Sequence, residues 1–277
     1  MKKLLCLFLS VLLVFCLVSC DSGEGSGEGS GEGSGNKDSK DITVSELLAL
    51  VNQKEQAGYS DNTYKVTTNM TAKTTINGTT SDIVQKSVMQ MKETGTDKIA
   101  SVVTTVSLPG NPEMETAEYF KNNYLYSVVN GVTYKKKTTF EAATGAANTT
   151  SGDANDIVKG AKDTKLTVEA DGTYKIVVEL DPKSDNALVN DLIAGFGAGS
   201  GTKDENITIK KIGAEIIISA DYILSSLKMN IDLSAQMDGV GAVDMIFDVV
   251  STCELLGSDY EITVPAGINV ENATEIQ

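Results

Sequence analysis

Residues 227–249 read LKMNIDLSAQMDGVGAVDMIFDV, and this stretch decides the fold class. Apolar side chains occupy every second position in two runs, and most positions between them are polar. The first run is Leu227, Met229, Ile231, Leu233, Ala235 and Met237, and the second is Val243, Met245, Phe247 and Val249. A period of two is typical of strands with one buried and one wet face, which is the pattern of an antiparallel sheet.

The same alternation recurs over most of the chain. It predicts further strands at about 64–74, 83–92, 98–108, 116–129, 132–138, 166–168, 174–180, 207–219 and 260–264. Tight hairpin turns are predicted at Asn77-Gly78, Asn130-Gly131 and Asp171-Gly172, a strand break at Asn122-Asn123, and a β-bulge at Lys210-Lys211. We therefore expect a mainly β domain with few helices, in which about 8–11 strands form a single curved antiparallel sheet, or half-barrel.

An N-terminal helix is expected to pack on the apolar face of this sheet. Thr43 and Glu46 have the spacing of a capping box, in which each side chain bonds the backbone N–H of the other residue. Apolar residues at helical spacing follow them, so the sequence predicts a helix over 44–57.

A second helix is predicted from Pro182 to about Phe196. Proline suits the first helical position, and apolar residues then recur at helical spacing. These residues include Leu188, Leu192 and Phe196. The glycine-rich tract 195–201 predicts a mobile loop that ends the helix.

The composition excludes several functions. The chain of 277 residues has no His and no Arg, and all 23 of its basic residues are Lys. Without His there is no Ser–His–Asp or Cys–His catalytic group, and without Arg there is no bidentate phosphate clamp. The net charge of −15 disfavours a nucleic-acid partner. We therefore expect a monomeric, non-enzymatic protein with no cofactor and no metal.

The N-terminus has the order of a bacterial export signal. Two Lys residues precede an uncharged apolar run of 15 residues, shorter than the roughly 20 residues of a membrane-spanning helix. Residues 17–20, Leu-Val-Ser-Cys, resemble the lipobox of bacterial lipoproteins, in which the Cys carries diacylglycerol and acyl chains such as palmitate. The resemblance implies that residues 1–19 are a signal peptide and that lipidated Cys20 begins the mature chain. A plain secretory signal with a chance Cys is the alternative.

Processing at this point would leave a tethered, acidic protein. The mature chain would have 21 Lys against 38 acidic residues, a net charge of −17, and Cys253 as its only unmodified thiol. That thiol is expected to be buried and unreactive. Residues 20–41 carry a Ser-Gly-Glu-Gly repeat, which predicts a disordered tether with a reach of roughly 25 Å. Residues 42–277 are then expected to fold on the extracytoplasmic side of the cell membrane.

Three polar clusters are candidate sites, and each favours a structural interpretation. Asp244 and Asp248 share one strand face, where solvated carboxylates are the norm. The basic run 135–137 is typical of a strand end or an edge strand. The third cluster consists of four tyrosines. It fits a ligand entrance, but tyrosine is also a good strand former. Its members are Tyr119, Tyr124, Tyr126 and Tyr134.

The order of lipobox, tether, N-terminal helix, long meander, inserted helix and second meander resembles the LolA/LppX-like half-barrel lipoproteins. Members of that family hold acyl chains between the concave apolar face of the sheet and helices that act as a lid. The resemblance implies a ligand lining of Leu227, Met229, Ile231, Leu233, Val243, Met245 and Phe247, with Leu188, Leu192 and Phe196 on the lid. A dry core built from the same residues is the alternative. The function would then be that of a surface module that binds a protein or glycan partner.

Overall fold

The computed structural model describes residues 42–58, 63–94, 97–144, 157–158, 161–183, 187–200, 202–237 and 239–276. The predicted signal peptide, Cys20 and the tether lie outside these residues. Within the described part of the chain, no helix has both the length and the apolar character that a membrane crossing requires.

The described chain forms one open, curved sheet, as predicted. Its strands are β1 Thr63–Ile76, β2 Thr79–Thr94, β3 Asp97–Ser107, β4 Met114–Lys121, β5 Tyr124–Val129, β6 Val132–Lys137, β7 Ala161–Val168, β8 Tyr174–Leu180, β9 Ile207–Ile218, β10 Leu224–Met237, β11 Gly241–Gly257 and β12 Thr274–Ile276. Their spatial order is β12-β6-β5-β4-β3-β2-β1-β11-β10-β9-β8-β7. All neighbours pair antiparallel except β12, which lies parallel to β6.

Two meanders meet at the centre of this sheet. Strands β1 to β6 form one meander and β7 to β11 form the other, and the long pairing of β1 with β11 joins them. In that pairing Ala72 lies opposite Phe247 and Met70 lies opposite Val249. The second half of the chain therefore completes the sheet that the first half begins.

The predicted turns and the bulge are confirmed. Asn122 and Asn123 both have positive φ angles, of 53° and 62°, and they connect β4 to β5 in a two-residue hairpin. Asparagine tolerates this left-handed conformation better than most residues, and two successive positive φ angles match the right-handed twist of the strands. In β9, Ile209 and Lys211 pair with successive residues of β10, so Lys210 is the extra, bulged residue.

Helix α1, Val44–Gly58, confirms the first helix prediction. The Thr43 backbone N–H donates to Glu46 Oε2 at 2.9 Å, and the Glu46 backbone N–H donates to Thr43 Oγ1 at 3.3 Å. Together these bonds form the predicted capping box.

A short helix α2, Phe140–Thr144, was not predicted. Its first turn is capped by Thr139, whose Oγ1 accepts a hydrogen bond from the Ala142 backbone N–H at 3.1 Å. Phe140 is buried against the sheet, and Ala143 is partly buried there.

Helix α3 spans Ala187–Ser200, so both predicted ends of the second helix are wrong. Pro182 lies instead in a turn, because the Asp181 carboxylate accepts a hydrogen bond from the Lys183 backbone N–H at 2.9 Å. The glycine-rich tract, predicted as a loop, continues the helix to Ser200. Phe196 and Gly197 are both buried there, so tertiary packing outweighs the low helix propensity of glycine.

The predicted strand at 260–264 is also wrong. Strand β11 ends at Gly257, and residues 258–273, here called the strap, cross the outer face of the sheet without strand structure. Thr63 Oγ1 donates to the Tyr260 carbonyl at 3.3 Å, and the Asn269 backbone N–H donates to Thr133 Oγ1 at 2.9 Å. The strap therefore reaches from β1 to β6, where β12 adds the twelfth strand.

Candidate functional site

Most buried apolar side chains of the sheet share one face, here called the inner face, and helices α1, α2 and α3 cover parts of it. Leu47, Leu48 and Val51 of α1 pack there, together with Leu192 and Phe196 of α3. The large core consists of these residues, the inner face of β8 to β11 and the adjoining ends of β1, β2 and β3. A separate small core lies further along the same face, where Phe140 of α2 is buried with Met91, Ala100 and Phe120.

The structure places the predicted ligand-binding residues in and beside the large core. Buried side chains among them are Ile231, Leu233, Val243, Met245, Phe247, Leu192 and Phe196. Leu227 and Met229 are half-buried at the edge of this core. Leu188 lies in α3, but its side chain is outside the described part. Contact of these residues with a ligand stays a prediction.

Between the two cores, the described residues of the inner face are only half-buried. Leu227, Met229 and Val249 are half-buried at the border of the large core. Val66 and Met89 are half-buried at the border of the small core, and Val102 follows on β3. We call these six residues, with the polar row between them, the open band. It crosses the five strands from β10 to β3, a length of about 19 Å at the usual strand spacing.

A row of hydroxyl side chains crosses the middle of the open band. Ser251, Thr68, Ser87 and Thr104 occupy matching positions on β11, β1, β2 and β3. The oxygens of Thr68 and Ser251 are 2.9 Å apart, and those of Ser87 and Thr104 are 3.1 Å apart. Each is half-buried. The row therefore places hydrogen-bonding groups on an otherwise apolar face.

Gln85 borders this row on the side of the large core. Its side chain is 7% exposed, and its partners on the neighbouring strands are Met70 and Val106, both buried. Among the described residues, Gln85 Oε1 and Thr74 Oγ1 are the buried side-chain oxygens or nitrogens without a hydrogen-bond partner. Because a buried polar atom without a partner is costly, Gln85 is an unusual residue for a purely structural position.

Methionine is concentrated on the inner face. Apart from Met1, which lies outside the described residues, every methionine of the chain points to this side by strand register. These residues are Met70, Met89, Met91, Met114, Met229, Met237 and Met245. Unbranched, polarizable methionine side chains adapt to irregular apolar partners and are common on adaptable binding surfaces.

Two further residues lie in or next to the open band. Cys253 was predicted to be buried, but it is half-buried and lies opposite Val66. Glu118 lies beside Val102 at the far end of the band. Desolvation raises the pKa of the Glu118 carboxyl, although the side chain is exposed. A raised pKa on an exposed side chain fits a carboxyl group that lies inside a concave surface.

The opposite, outer face carries Asp244 and Asp248, the acidic candidate site. Lys210 forms ion pairs with Asp244 and Asp232, and Asn230 Nδ2 donates to Asp248 at 2.7 Å. The hydrogen bond to Asp244 raises the pKa of the Lys210 ammonium. Within the described ranges, His, Cys, Asp and Glu form no group of three suited to a metal ion. Asp244 and Asp248 are both exposed, with Lys210 and Asn230 as partners.

The tyrosine cluster is divided between the two faces. Tyr119, Tyr124 and Tyr126 lie on the outer face, with ring centres of neighbouring pairs 6.2 and 6.5 Å apart. Tyr119 and Tyr126 are buried in the region that the strap crosses. Tyr134 points to the inner face by register. Lys135, of the basic run, pairs with Glu275 of β12 at 3.6 Å, so this run supports the sheet edge.

No family model and no curated protein matches the chain. Among solved structures it is similar to LprF from Mycobacterium bovis, with 13% identity, a TM-score of 0.39, and coverage of 82% of this chain and 99% of that one. It is also similar to a DUF1329 family protein from Desulfovibrio piger, with 11% identity, a TM-score of 0.20, and coverage of 79% and 95%. Neither similarity bears on function, for which the residues of the inner face are the evidence.

Proposed function

We propose that this protein is a membrane-anchored extracytoplasmic lipoprotein that binds a lipid or another apolar ligand on the inner face of its sheet and catalyses no reaction. The open band is the observation that supports this proposal. Six apolar side chains there remain in contact with solvent between two buried cores, on the face where the sheet has its helices. Apolar side chains that stay partly exposed side by side, with a few polar groups among them, are typical of a binding site.

The dimensions of the open band suit an acyl chain. Its length of about 19 Å exceeds the acyl layer of one leaflet, which is about half of a hydrocarbon core of roughly 30 Å. Each methylene group buried there would contribute about 0.8 kcal/mol. Ten buried methylenes would therefore contribute about 8 kcal/mol before the costs of ordering the ligand.

The residues predicted from the family resemblance extend this site inward. Leu227 and Met229 lie in the open band. Ile231 follows Met229 on the same face of β10, and Phe247 lies opposite Ile231, both buried in the large core. A ligand that reached under α3 would contact Leu192 and Phe196. We include these deeper residues in the proposed site as its inner wall and lid.

The proposed anchor is Cys20. Two or three acyl chains on one residue hold a protein at a membrane far more firmly than a single chain does. The tether of residues 20–41 would let the folded domain stand roughly 25 Å from the membrane surface. An apolar ligand could then pass between the membrane and the open band without the domain leaving the membrane.

Native mass spectrometry of a soluble chain of residues 42–277, before and after organic extraction, tests the binding proposal. We expect a co-purifying mass in the lipid range that extraction removes. The Met229→Lys variant places a charge in the open band and should lose this mass. The Ile246→Lys variant is the matched control, because Ile246 is 39% exposed on the outer face of the neighbouring strand, and it should keep the mass.

A wild-type chain without bound lipid, unchanged after incubation with membrane lipids, would overturn the proposal. The apolar band would then be a surface for a protein or glycan partner. Retention of the lipid by Met229→Lys would instead overturn its placement in the open band.

A further inference from the structure

We propose that the ligand of the open band is an aliphatic chain that carries a hydroxyl group part-way along its length, which Gln85 and the hydroxyl row bind. This inference rests on the proposed function and adds the chemistry of the ligand. A purely hydrocarbon chain would satisfy the apolar borders of the band but not the polar groups in its middle.

The first observation is the position of the Gln85 amide. Oε1 is enclosed without a hydrogen-bond partner, on a side chain that is more than nine-tenths buried. The neighbouring inner-face residue on the same strand is Ser87, a member of the hydroxyl row. An amide can present an acceptor or a donor after a half-turn. A hydroxyl group on a ligand can serve as the partner of either atom.

The second observation is the bonding within the hydroxyl row. In each pair, Thr68 with Ser251 and Ser87 with Thr104, one hydroxyl donates to the other. The accepting hydroxyl keeps its own O–H as a donor for a further partner. The two pairs therefore offer two donors in line across the band, a short distance from the Gln85 acceptor.

Desolvation explains why these groups select a ligand. An apolar chain that covers the open band removes water from the half-buried hydroxyls and offers them no hydrogen bond in its place. A ligand hydroxyl at this level can accept from the row and donate to Gln85. The ligand hydroxyl also gives up its own hydrogen bonds to water, so the net gain in binding free energy is about that of one typical hydrogen bond. The hydroxy ligand should therefore bind about 2- to 10-fold more tightly.

Photoaffinity competition with the full chain in isolated membranes tests this inference. The tracer is hexadecanoate that carries a diazirine, and the competitors are octadecanoate and its mid-chain hydroxy derivative. For each protein, the result is the ratio of the octadecanoate concentration to the hydroxy-derivative concentration that displaces the tracer. We expect this ratio to be several-fold higher for the wild type than for Gln85→Met. Partition of each competitor into the membrane is the same for both proteins, so it cancels from this comparison.

Two more variants make the result specific. Gln90→Met changes the same residue type on the outer face of the same strand, and it should keep the wild-type preference. Ser87→Ala removes one hydroxyl of the row and should reduce the preference, and it decides the question if Gln85→Met fails to fold. If the ratio of the two competitor concentrations is the same in the wild type, Gln85→Met and Ser87→Ala, and the tracer labels all three strongly, this inference is overturned and the proposed function stands. Labelling of the wild type no stronger than that of Met229→Lys would overturn both this inference and the placement of the ligand in the open band.

Discussion

Replacement of Gln85 by Met is expected to stabilise the ligand-free protein. The Gln85 oxygen is buried without a partner among the described residues, and its cross-strand neighbours Met70 and Val106 are apolar. Burial of such a group costs about 1–3 kcal/mol, and a thioether of similar volume does not carry this cost. We therefore expect the free energy of unfolding to rise by about 1–2 kcal/mol.

The matched control is Gln90→Met on the same strand. Gln90 Nε2 donates to Tyr260 Oη at 2.9 Å, and Gln90 Oε1 accepts from Ser101 Oγ at 3.4 Å. Loss of these two bonds should lower the free energy of unfolding by about 1 kcal/mol. Gln85→Met is thus expected to raise the free energy of unfolding, and Gln90→Met is expected to lower it.

Urea denaturation of delipidated residues 42–277, followed by circular dichroism, measures both changes. A parallel thermal scan should show shifts of about 2–4 °C for each kcal/mol in a domain of this size. A loss of stability in Gln85→Met as large as that in Gln90→Met would refute the reasoning. It would mean that the Gln85 amide has a partner in the ligand-free protein.

Three further predictions concern the anchor, the core and the outer face. Cys20→Ser should remove the acylated residue and prevent processing, so metabolic labelling with palmitate should be lost; continued labelling would place the acyl chain elsewhere. Phe247→Ala should lower the free energy of unfolding by about 3–5 kcal/mol, because Phe247 is almost completely buried. Ile246→Ala, on the outer face, should cost less than about 1 kcal/mol, and equal losses would contradict the assignment of faces. Glu215 accepts hydrogen bonds from Lys175 at 2.6 Å and Lys228 at 3.0 Å, which lower the pKa of its carboxyl. Its contribution of about 1 kcal/mol should be present above pH 4.5 and disappear as the pH falls further, and Glu215→Gln should remove this part of the pH dependence in urea titrations.

Local patterns were sufficient to predict most of the sheet. The alternation in 227–249 predicts both the strands and the buried face, because a strand places successive side chains on opposite sides. Asn-Gly and Asp-Gly pairs predict the hairpins, because their conformational preferences are local. The ends of α3 could not be predicted in this way, because the Asp181 side chain and the burial of Gly197 outweigh helix propensity there.

The polar part of the candidate site depends on register between distant strands. Thr68, Ser87, Thr104 and Ser251 each interrupt an apolar alternation in the sequence, and each alone resembles an ordinary strand threonine or serine. Their alignment into one row requires the pairing of β1 with β11 and of β2 with β3. The strap was missed for a related reason, because it has no periodic pattern and is held by partners far away in sequence, such as Thr63 and Thr133.

The central pairing of β1 with β11 has a consequence for the order in which the protein can fold. Thr68 and Ser251, bonded across this pairing, are 183 residues apart in the chain. Contacts of such long range form slowly, because a large loop must close before they contribute. A chain that emerges from a ribosome or a translocation channel with its N-terminus first would expose β1 as an unpaired edge until β11 has followed. During that interval the edge is open to pairing with other chains, so aggregation during synthesis and export is the characteristic hazard of this topology.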